Sequence, residues 1–485
     1  MSALGSVLHC GAYVPRLRLA RAVITDAVSW LSPPARALMS GTRAIGNWDE
    51  DALTMAVEAA RCCVAPAESV AGPVSTVVQA VMFCSTTAPF ADRDNAVILT
   101  AALDLPAAIE TSNFAGSLRA GTCGLISAAH RTDTHSLVVA SDARLTRAGS
   151  SQELLFGDAA AAMLIGPASA GSLATILATH SLASDFVDHY RMSGARFDYA
   201  LEDRWVRDES LMKLVPEAVA QLLADSGCQA GAIRHLAMPG TAATVKRIAS
   251  ACGLTAAHSD ESVLRECGDA GAALPLLLLA AALDKAQPGE LIVLIGIGQG
   301  VDAVLLRAAD GVRKCGQVVA RALARQREEP SYVRYLAHRG LLEVDFGMRA
   351  ERDQRTAHSV AYRRRGAIMA FKGGRCERCG TVQFPQSRVC VHPQCRATDT
   401  QVPHRLADYL GRVKSFTEDW QAYSARPPYL YGNVEFAAGG NLLMEFTDSE
   451  SGEVQIDAMV RFVFRIKDED RLRGFRRYFW KATQA

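Results

Sequence analysis

Asn113-Phe114-Ala115-Gly116-Ser117-Leu118-Arg119-Ala120-Gly121-Thr122-Cys123-Gly124-Leu125 is the run of small residues on which the reading of this chain turns. It lies between a segment expected to be extended, Ala107 to Thr111, and an apolar stretch of helical character ending near Ala129. Small side chains allow close backbone approach, and a strand that turns sharply into a buried helix offers one side chain and the first helical amides to a ligand. The stretch therefore reads as an elbow.

Working outward, Gly5 to Pro15 alternates as a buried strand, and Asn47-Trp48-Asp49-Glu50-Asp51 precedes the Ala-rich helix that begins at Ala52. Carboxylates suit the positive end of a helix dipole, so the acidic cluster is expected to cap that helix. The strand Ala80 to Phe83 ends in Cys84-Ser85-Thr86-Thr87, whose hydroxyls suit either a catalytic turn or the cap of the next helix. Leu137 to Asp142, then Phe156-Gly157-Asp158 and Ala159 to Ile165, have a counterpart in Leu291 to Gly296, Ile297 to Gly300 and Val301 to Leu306. That recurrence reads as an internal duplication. Apolar strands alternating with Ala/Leu-rich helices place both halves in the α/β class.

Taken together these motifs resemble the thiolase superfamily, in particular its hydroxymethylglutaryl-CoA synthase-like and ketoacyl synthase III-like members. The resemblance rests on Leu118-Arg119-Ala120-Gly121-Thr122, where the family has Cys-x-Ala-Gly-Thr, and on the run from Asp49 to Ala59. It implies two similar α/β halves packed face to face in an α-β-α-β-α layering, and chemistry on an acyl-CoA. It also implies three replacements. Leu118 stands for the cysteine, Gly240 in Met238-Pro239-Gly240 for the histidine, and Asp269 in Cys267-Gly268-Asp269-Ala270-Gly271 for the asparagine. Thr86 stands where hydroxymethylglutaryl-CoA synthases carry an acid/base glutamate.

A Cys/His/Asn set works because a thiolate takes the acyl group while two neutral donors hold an enolate oxygen. Leu118 does neither, Gly240 has only its backbone, and an ionised Asp269 repels an oxyanion. The candidate catalytic residues are then Asp269, Cys123, Ser117 and Thr86. Cys123 lies five residues beyond Leu118, about 140° further round a helix at ~100° per residue, and reads as a substitute nucleophile or a packed small hydrophobe. Asp269 in an apolar pocket is expected to act as acid or base on a hydroxy- or keto-acyl thioester that is never covalently bound, or merely to cap a helix.

The chain has 485 residues, 49% apolar and 21% charged, with formal net charge +1. At roughly 100–200 residues per domain it holds two to four domains. Near-neutrality leaves no whole-chain field toward nucleic acid or anionic membrane. The longest apolar run, Ala272 to Leu283, contains Pro275 and falls short of the about 18 residues that span a bilayer. With no basic stretch before the first apolar residues, a cytoplasmic location is expected, so the thirteen cysteines are read as buried groups, catalytic groups or metal ligands.

Beyond Ala309 the composition turns arginine-rich, with a helical segment between Pro330 and Leu342, and then Cys376-x2-Cys379 and Cys390-x4-Cys395 follow. Two cysteine pairs place four thiolates round one tetrahedral ion, a structural zinc ribbon with no open position. His392 is a possible substitute ligand. From Gly411 to Arg465 short alternating strands separated by Gly-rich turns suit a small closed barrel. With the ribbon, they resemble the zinc-ribbon/OB-fold domain that accompanies many thiolase-like enzymes.

An OB-type barrel also invites single-stranded nucleic acid, and Arg363, Arg364, Arg365 and Lys372 are phosphate-binding candidates. Beside a thiolase-like neighbour these cations better suit the phosphates of coenzyme A. The expected organisation is a thiolase-like N-terminal half (1–166), a C-terminal half (167–309), a helical docking extension (310–372), a zinc ribbon (373–400) and an OB-fold (401–485). The residues favour a non-acylating aldol or Claisen-type reaction on an acyl-CoA. The alternatives are a degenerate acyl-CoA-binding subunit docked on a thiolase-like partner, and a hydroxymethylglutaryl-CoA synthase-like acyltransferase using Cys123. A homodimer or such a hetero-oligomer is expected, with neither nucleic acid nor membrane as partner.

Overall fold

The computed structural model describes residues 4–31, 40–64, 68–69, 72–73, 77–345, 357–437, 439–470 and 472–485. They form two compact units. The first comprises Met1–Gly46, Asp51–Leu99 and Leu105–Leu341, and the second Asn47–Glu50, Thr100–Asp104 and Leu342–Ala485. Of the stretch 310–372, helices Val318–Ala324 and Tyr332–His338 fall in the first unit and His358–Arg363 and Arg365–Met369 in the second, while 346–356 lie outside the described residues.

The first unit is built on one sheet of nine strands. Its order runs Ile233–Ala237, Leu291–Ile297, Gly300–Ala308, Ala174–Ala183, Ser6–Tyr13, Asp158–Gly166, Ser136–Ala143, Ala80–Cys84, Glu110–Phe114. Read outward from the middle, both halves have the same pattern. Ser6–Tyr13 and Ala174–Ala183 each pair antiparallel with a neighbour, Asp158–Gly166 or Gly300–Ala308. Each neighbour pairs antiparallel with Ser136–Ala143 or Leu291–Ile297, and each of these lies parallel to Ala80–Cys84 or Ile233–Ala237. The duplication expected from sequence is therefore present.

The two halves also share backbone pairing. The two half-sheets are joined at an edge, because Ser6 pairs with Thr175 and Val7 with Ala174 as well as with the other side. A strand has a hydrogen-bonding edge on each side, and Ser6–Tyr13 uses both.

The helix Leu274–Lys285 explains the longest apolar run: every residue from Leu274 to Leu283 is buried. A helix apolar all round belongs inside a core. Among the described residues no helix is long and apolar enough to cross a membrane. The strand before the elbow is Glu110–Phe114 rather than Ala107 to Thr111. It is the sheet's outermost strand, so polar side chains are tolerated there, and Asp94 accepts hydrogen bonds from Thr111 and Asn113 at 2.8 and 2.7 Å.

In the second unit, Lys372–Cys376, Val382–Gln383 and Gln401–Arg405 make a small sheet carrying the cysteines. A five-stranded sheet follows in the order Asn441–Glu445, Tyr429–Phe436, Gly411–Asp419, Met459–Asp470, Phe475–Gln484. Its two ends meet where the Thr447 amide donates to the Ala482 carbonyl at 2.9 Å, with a bridge between Phe446 and Ala482. This closes the five strands into a barrel, compatible with the expected OB-fold. Phe371 fills its core against Phe384, Phe436, Phe462, Phe479 and Trp480.

The acidic cluster before the Ala52–Val64 helix has two uses. Asp51 caps the helix, accepting from the Thr54 amide at 3.0 Å. Asp49 and Glu50 belong instead to the second unit's core. There Lys481 Nζ lies 2.9 Å from Asp49 and 3.2 Å from Glu445, and Arg465 Nη2 lies 3.0 Å from both Glu50 and Asp448. Burial alone would raise the Glu445 carboxyl, but the ammonium groups of Lys481 and Lys467 outweigh it and hold it at about 2.

Candidate active site

The elbow forms as the small residues require. The chain leaves Glu110–Phe114, turns through 115–119 and enters the helix Ala120–Ala129. A Cβ on Gly121 would lie 2.3 Å from the Ala272 carbonyl oxygen, so only glycine lets this helix approach the turn after Asp269 so closely. Gly298, at φ 153°, meets the elbow from the other half, and a Cβ there would sit 2.7 Å from Ser117 Oγ.

Two buried carboxylates organise the surroundings. Asp302 accepts from Arg119 Nη1 at 2.8 Å, Thr122 Oγ1 at 2.7 Å, Ser181 Oγ at 2.8 Å and Cys123 Sγ at 3.3 Å. Arg119 also donates to the Gly298 carbonyl at 2.8 Å and the Gln299 carbonyl at 3.2 Å, so the first turn of the elbow helix is fastened to the Gly298–Gly300 turn. Asp142 accepts from Ser85 Oγ, from both Thr86 and Thr87 hydroxyls, and from the Ala272 amide at 2.8 Å.

Each expected site residue has a definite place. Ser117 donates to the Gly298 carbonyl at 2.8 Å and accepts from the Arg119 amide at 3.2 Å, while Thr86 spends its hydroxyl on Asp142 at 2.9 Å. Asp269 has polar rather than apolar neighbours. Its Oδ1 accepts from the Gly271 amide at 2.8 Å and lies 3.2 Å from Arg144 Nη1. Arg144 stacks on Phe156 with its guanidinium carbon 3.2 Å from the ring centre, and continues through Asp198 to Arg191. Leu118 is half-buried on the elbow, and Gly240 follows the strand Ile233–Ala237 with Val245 and Thr244 as its side-chain neighbours. Asp142, Ala272 and Gly121 thus bring Thr86, the Asp269 turn and the elbow together, and Asp302 adds Cys123.

Burial, and after it the charge of Asp302, push the Cys123 thiol up to about 11. The thiolate is the nucleophile, so alkylation of Cys123 is expected to accelerate about tenfold per pH unit from neutrality toward that value. Peptide mapping after timed iodoacetamide exposure checks this; a rate that levels off near the ordinary cysteine value of about 8.5 would contradict the placement. Asp302→Asn removes one of the two main causes and is expected to speed the reaction at pH 8.

In the second unit all four Sγ atoms of Cys376, Cys379, Cys390 and Cys395 lie within 4.8 Å of one another. The pairs 376/395 and 379/390 are 3.9 and 3.5 Å apart. A tetrahedral zinc with Zn–S of about 2.3 Å needs sulfurs about 3.8 Å apart, so the residues fit the ion. His392 is outside this group, its Nδ1 accepting from the Gln394 amide at 3.3 Å. Arg363 and Arg364 are exposed, Arg365 lies over the Tyr362 ring, and Lys372 is paired with Asp104 at 2.6 Å.

Sequence reasoning missed Asp142, Arg144 and Asp302 as site-building residues. Asp142 and Asp302 each put a carboxylate into a mainly apolar strand, and a buried carboxylate is held only by partners. That is a signal visible without the structure. Arg119 stood inside the quoted elbow itself.

A duplicated α/β unit with a glycine-bearing elbow between its halves defines a thiolase-type fold. Solved structures share it. The 3-oxoacyl-(acyl carrier protein) synthase III of Pseudomonas aeruginosa superposes with a TM-score of 0.55 at 21% identity, covering 63% of this chain and 99% of that one. A hydroxymethylglutaryl-CoA synthase complexed with CoA gives 0.57 at 13% identity, covering 83% and 100%. No family model matches the chain. Over 352 residues it is 30% identical to the hydroxymethylglutaryl-CoA synthase of Aeropyrum pernix, a match covering 70% of this chain and 92% of that protein. The chain belongs to the hydroxymethylglutaryl-CoA synthase family.

Proposed function

We propose that this chain is an acyl-CoA condensing enzyme that transfers an acyl group in the manner of a hydroxymethylglutaryl-CoA synthase, with Cys123 as acyl carrier. The family relationship supports the acyltransferase reading over the non-acylating one that the replaced triad favoured. The observation that carries Cys123 is its thiol 3.3 Å from Asp302. In this reading Asp302 takes the thiol proton as Cys123 attacks the thioester carbonyl. Asp302 returns that proton to the departing coenzyme A thiolate, then removes an α-proton from the acyl-enzyme. The enolate adds to the keto carbonyl of a 3-ketoacyl-CoA, the alkoxide takes the proton back, and water cleaves the remaining thioester to free the Cys123 thiol. Arg119 holds Asp302 in position. The exposed Arg363 and Arg364 are the proposed partners for coenzyme A phosphates, zinc holds the ribbon closed, and the second unit serves as an acyl-CoA-associated domain.

A specific observation favours a second reading, direct condensation or cleavage without an acyl-enzyme. Leu118 occupies the family's nucleophile position, and Cys123 is almost wholly protonated at neutral pH. Intact-mass spectrometry after mixing with acetyl-CoA, acetoacetyl-CoA and 3-hydroxyacyl-CoAs, with small-molecule analysis of the same tubes, decides between them. An acyl adduct that maps to Cys123 and disappears in Cys123→Ala is the expected result. Turnover without an adduct selects the direct reaction, and neither adduct nor product with any thioester rejects both.

A further inference from the structure

Outside the elbow and the ribbon, the first unit contains a cysteine pair with no part in the proposed reaction. Cys10 and Cys315 are 305 residues apart in sequence, yet their Sγ atoms lie 3.1 Å apart. Cys10 sits on Ser6–Tyr13, which carries a strand on each edge, and is 4% exposed. Cys315 follows the last strand, Gly300–Ala308, through the turn Asp310–Lys314, and is half-buried. Its thiol hydrogen-bonds the carboxylate of Asp284, which also accepts from the amides of Val318 and Val319 at 3.2 Å each. Asp284 is thus fixed at the start of a helix, near the charge of Arg321, with the Cys315 thiol, which faces a second thiol, as its side-chain donor.

We propose that Cys10 and Cys315 form a disulfide modification site, closed by exchange with a low-molecular-weight disulfide of the glutathione type. Cys315, the more accessible of the two, gives its proton to Asp284 and attacks one sulfur of the oxidant. The oxidant's S–S bond breaks, a mixed disulfide forms on Cys315, and the departing thiolate takes the proton from Asp284. Cys10 then attacks the Cys315 sulfur and its proton leaves with the second small thiolate. Two protein thiols and one small disulfide become one protein disulfide and two small thiols.

Two further features bear on the rate. Burial raises the Asp284 carboxyl above the usual range, which suits a proton acceptor, and the hydrogen bond to Cys10 together with burial raises the Cys315 thiol well above its ordinary value. Exchange is therefore slow at neutral pH and faster in mild alkali, since only the thiolate attacks. The bond would tie the middle of the sheet to the segment beyond its last strand. Cross-links that span long stretches of chain restrict the unfolded state most.

The test uses the full-length protein incubated for hours with oxidised glutathione at pH 8, quenched in acid, alkylated without reduction and digested. The expected result is a cross-linked peptide pair containing Cys10 and Cys315, lighter by two hydrogens, and a higher unfolding midpoint that a reductant reverses. Cys315→Ser and Cys10→Ala should each lose both effects. Recovery of Cys10 and Cys315 as separately alkylated thiols, or as separate glutathione adducts, from protein whose circular dichroism is native overturns the proposal, and this readout on the unsubstituted chain needs no variant to fold.

Discussion

Replacing Asp302 with alanine is expected to destabilise the first unit by about 3–5 kcal/mol, the cost typical of removing one partner of a buried ion pair. Asp302 is 1% exposed and accepts from four side chains. Its loss leaves the Arg119 guanidinium, 15% exposed, without a countercharge. Arg119 keeps its bonds to the Gly298 and Gln299 carbonyls, which have no charge to offer. Thr122 keeps the Arg119 carbonyl as an acceptor at 3.0 Å and Ser181 is exposed to water, so the unpaired guanidinium carries most of the cost. Against a total stability of about 5–15 kcal/mol, this is a large fraction. Asp302→Asn retains an oxygen acceptor and should lose roughly half as much by the same reasoning. Urea unfolding followed by tryptophan fluorescence and circular dichroism measures both. A loss below about 1 kcal/mol for the alanine variant, the level of an exposed pair, would show that the hub is solvated rather than buried.

That hub also shows how far the sequence was legible. The elbow was readable because Gly116, Ala120, Gly121 and Gly124 cluster within nine positions, and few other structures need such a density of small residues. The duplication was readable because each half repeats an apolar strand, a glycine-containing excursion and a second apolar strand. The joining of the two half-sheets was not. Hydrogen bonding through both edges of Ser6–Tyr13 leaves no mark on side-chain alternation. The same limit explains Asp49 and Glu50. A local reading assigned them to the helix that begins at Ala52, while their partners Lys481 and Arg465 lie more than 400 residues downstream. The apolar pocket expected around Asp269 is absent for a related reason: its sequence neighbours Ala270, Ala272 and Ala273 are buried in the core, but Arg144 reaches it from another strand's end. Side chains that meet across the sheet are set by topology, and topology is the part of the fold that periodicity does not encode.

Removing zinc is expected to have the other large effect, and to confine it to the second unit. The four thiols surround a space of the right size for a tetrahedral ion. Around them the local structure is slight: Val382–Gln383 has two residues, and two registers pair it to Lys372–Cys376. So small a sheet buries too little apolar surface to hold itself together, and a structural zinc worth about 10–16 kcal/mol in isolated finger peptides is of the scale required. The adjoining barrel has its own aromatic core around Phe371, so it should persist when the ion is withdrawn. Purified protein should therefore carry about one zinc per chain, the number that four thiolate ligands fill. Chelation, or Cys379→Ser, should abolish that zinc and expose all the remaining ribbon cysteines to alkylation. It should also open the segment from Cys376 to Gln401 to protease while the barrel's near-ultraviolet signal survives. Because the ligating form is the thiolate, protons compete with the ion, so zinc should be lost as pH falls and regained as it rises. If the metal-free protein kept its ribbon cysteines protected from alkylation and its protease resistance unchanged, the four sulfurs would be a packed cluster and the assignment of a structural zinc would fail.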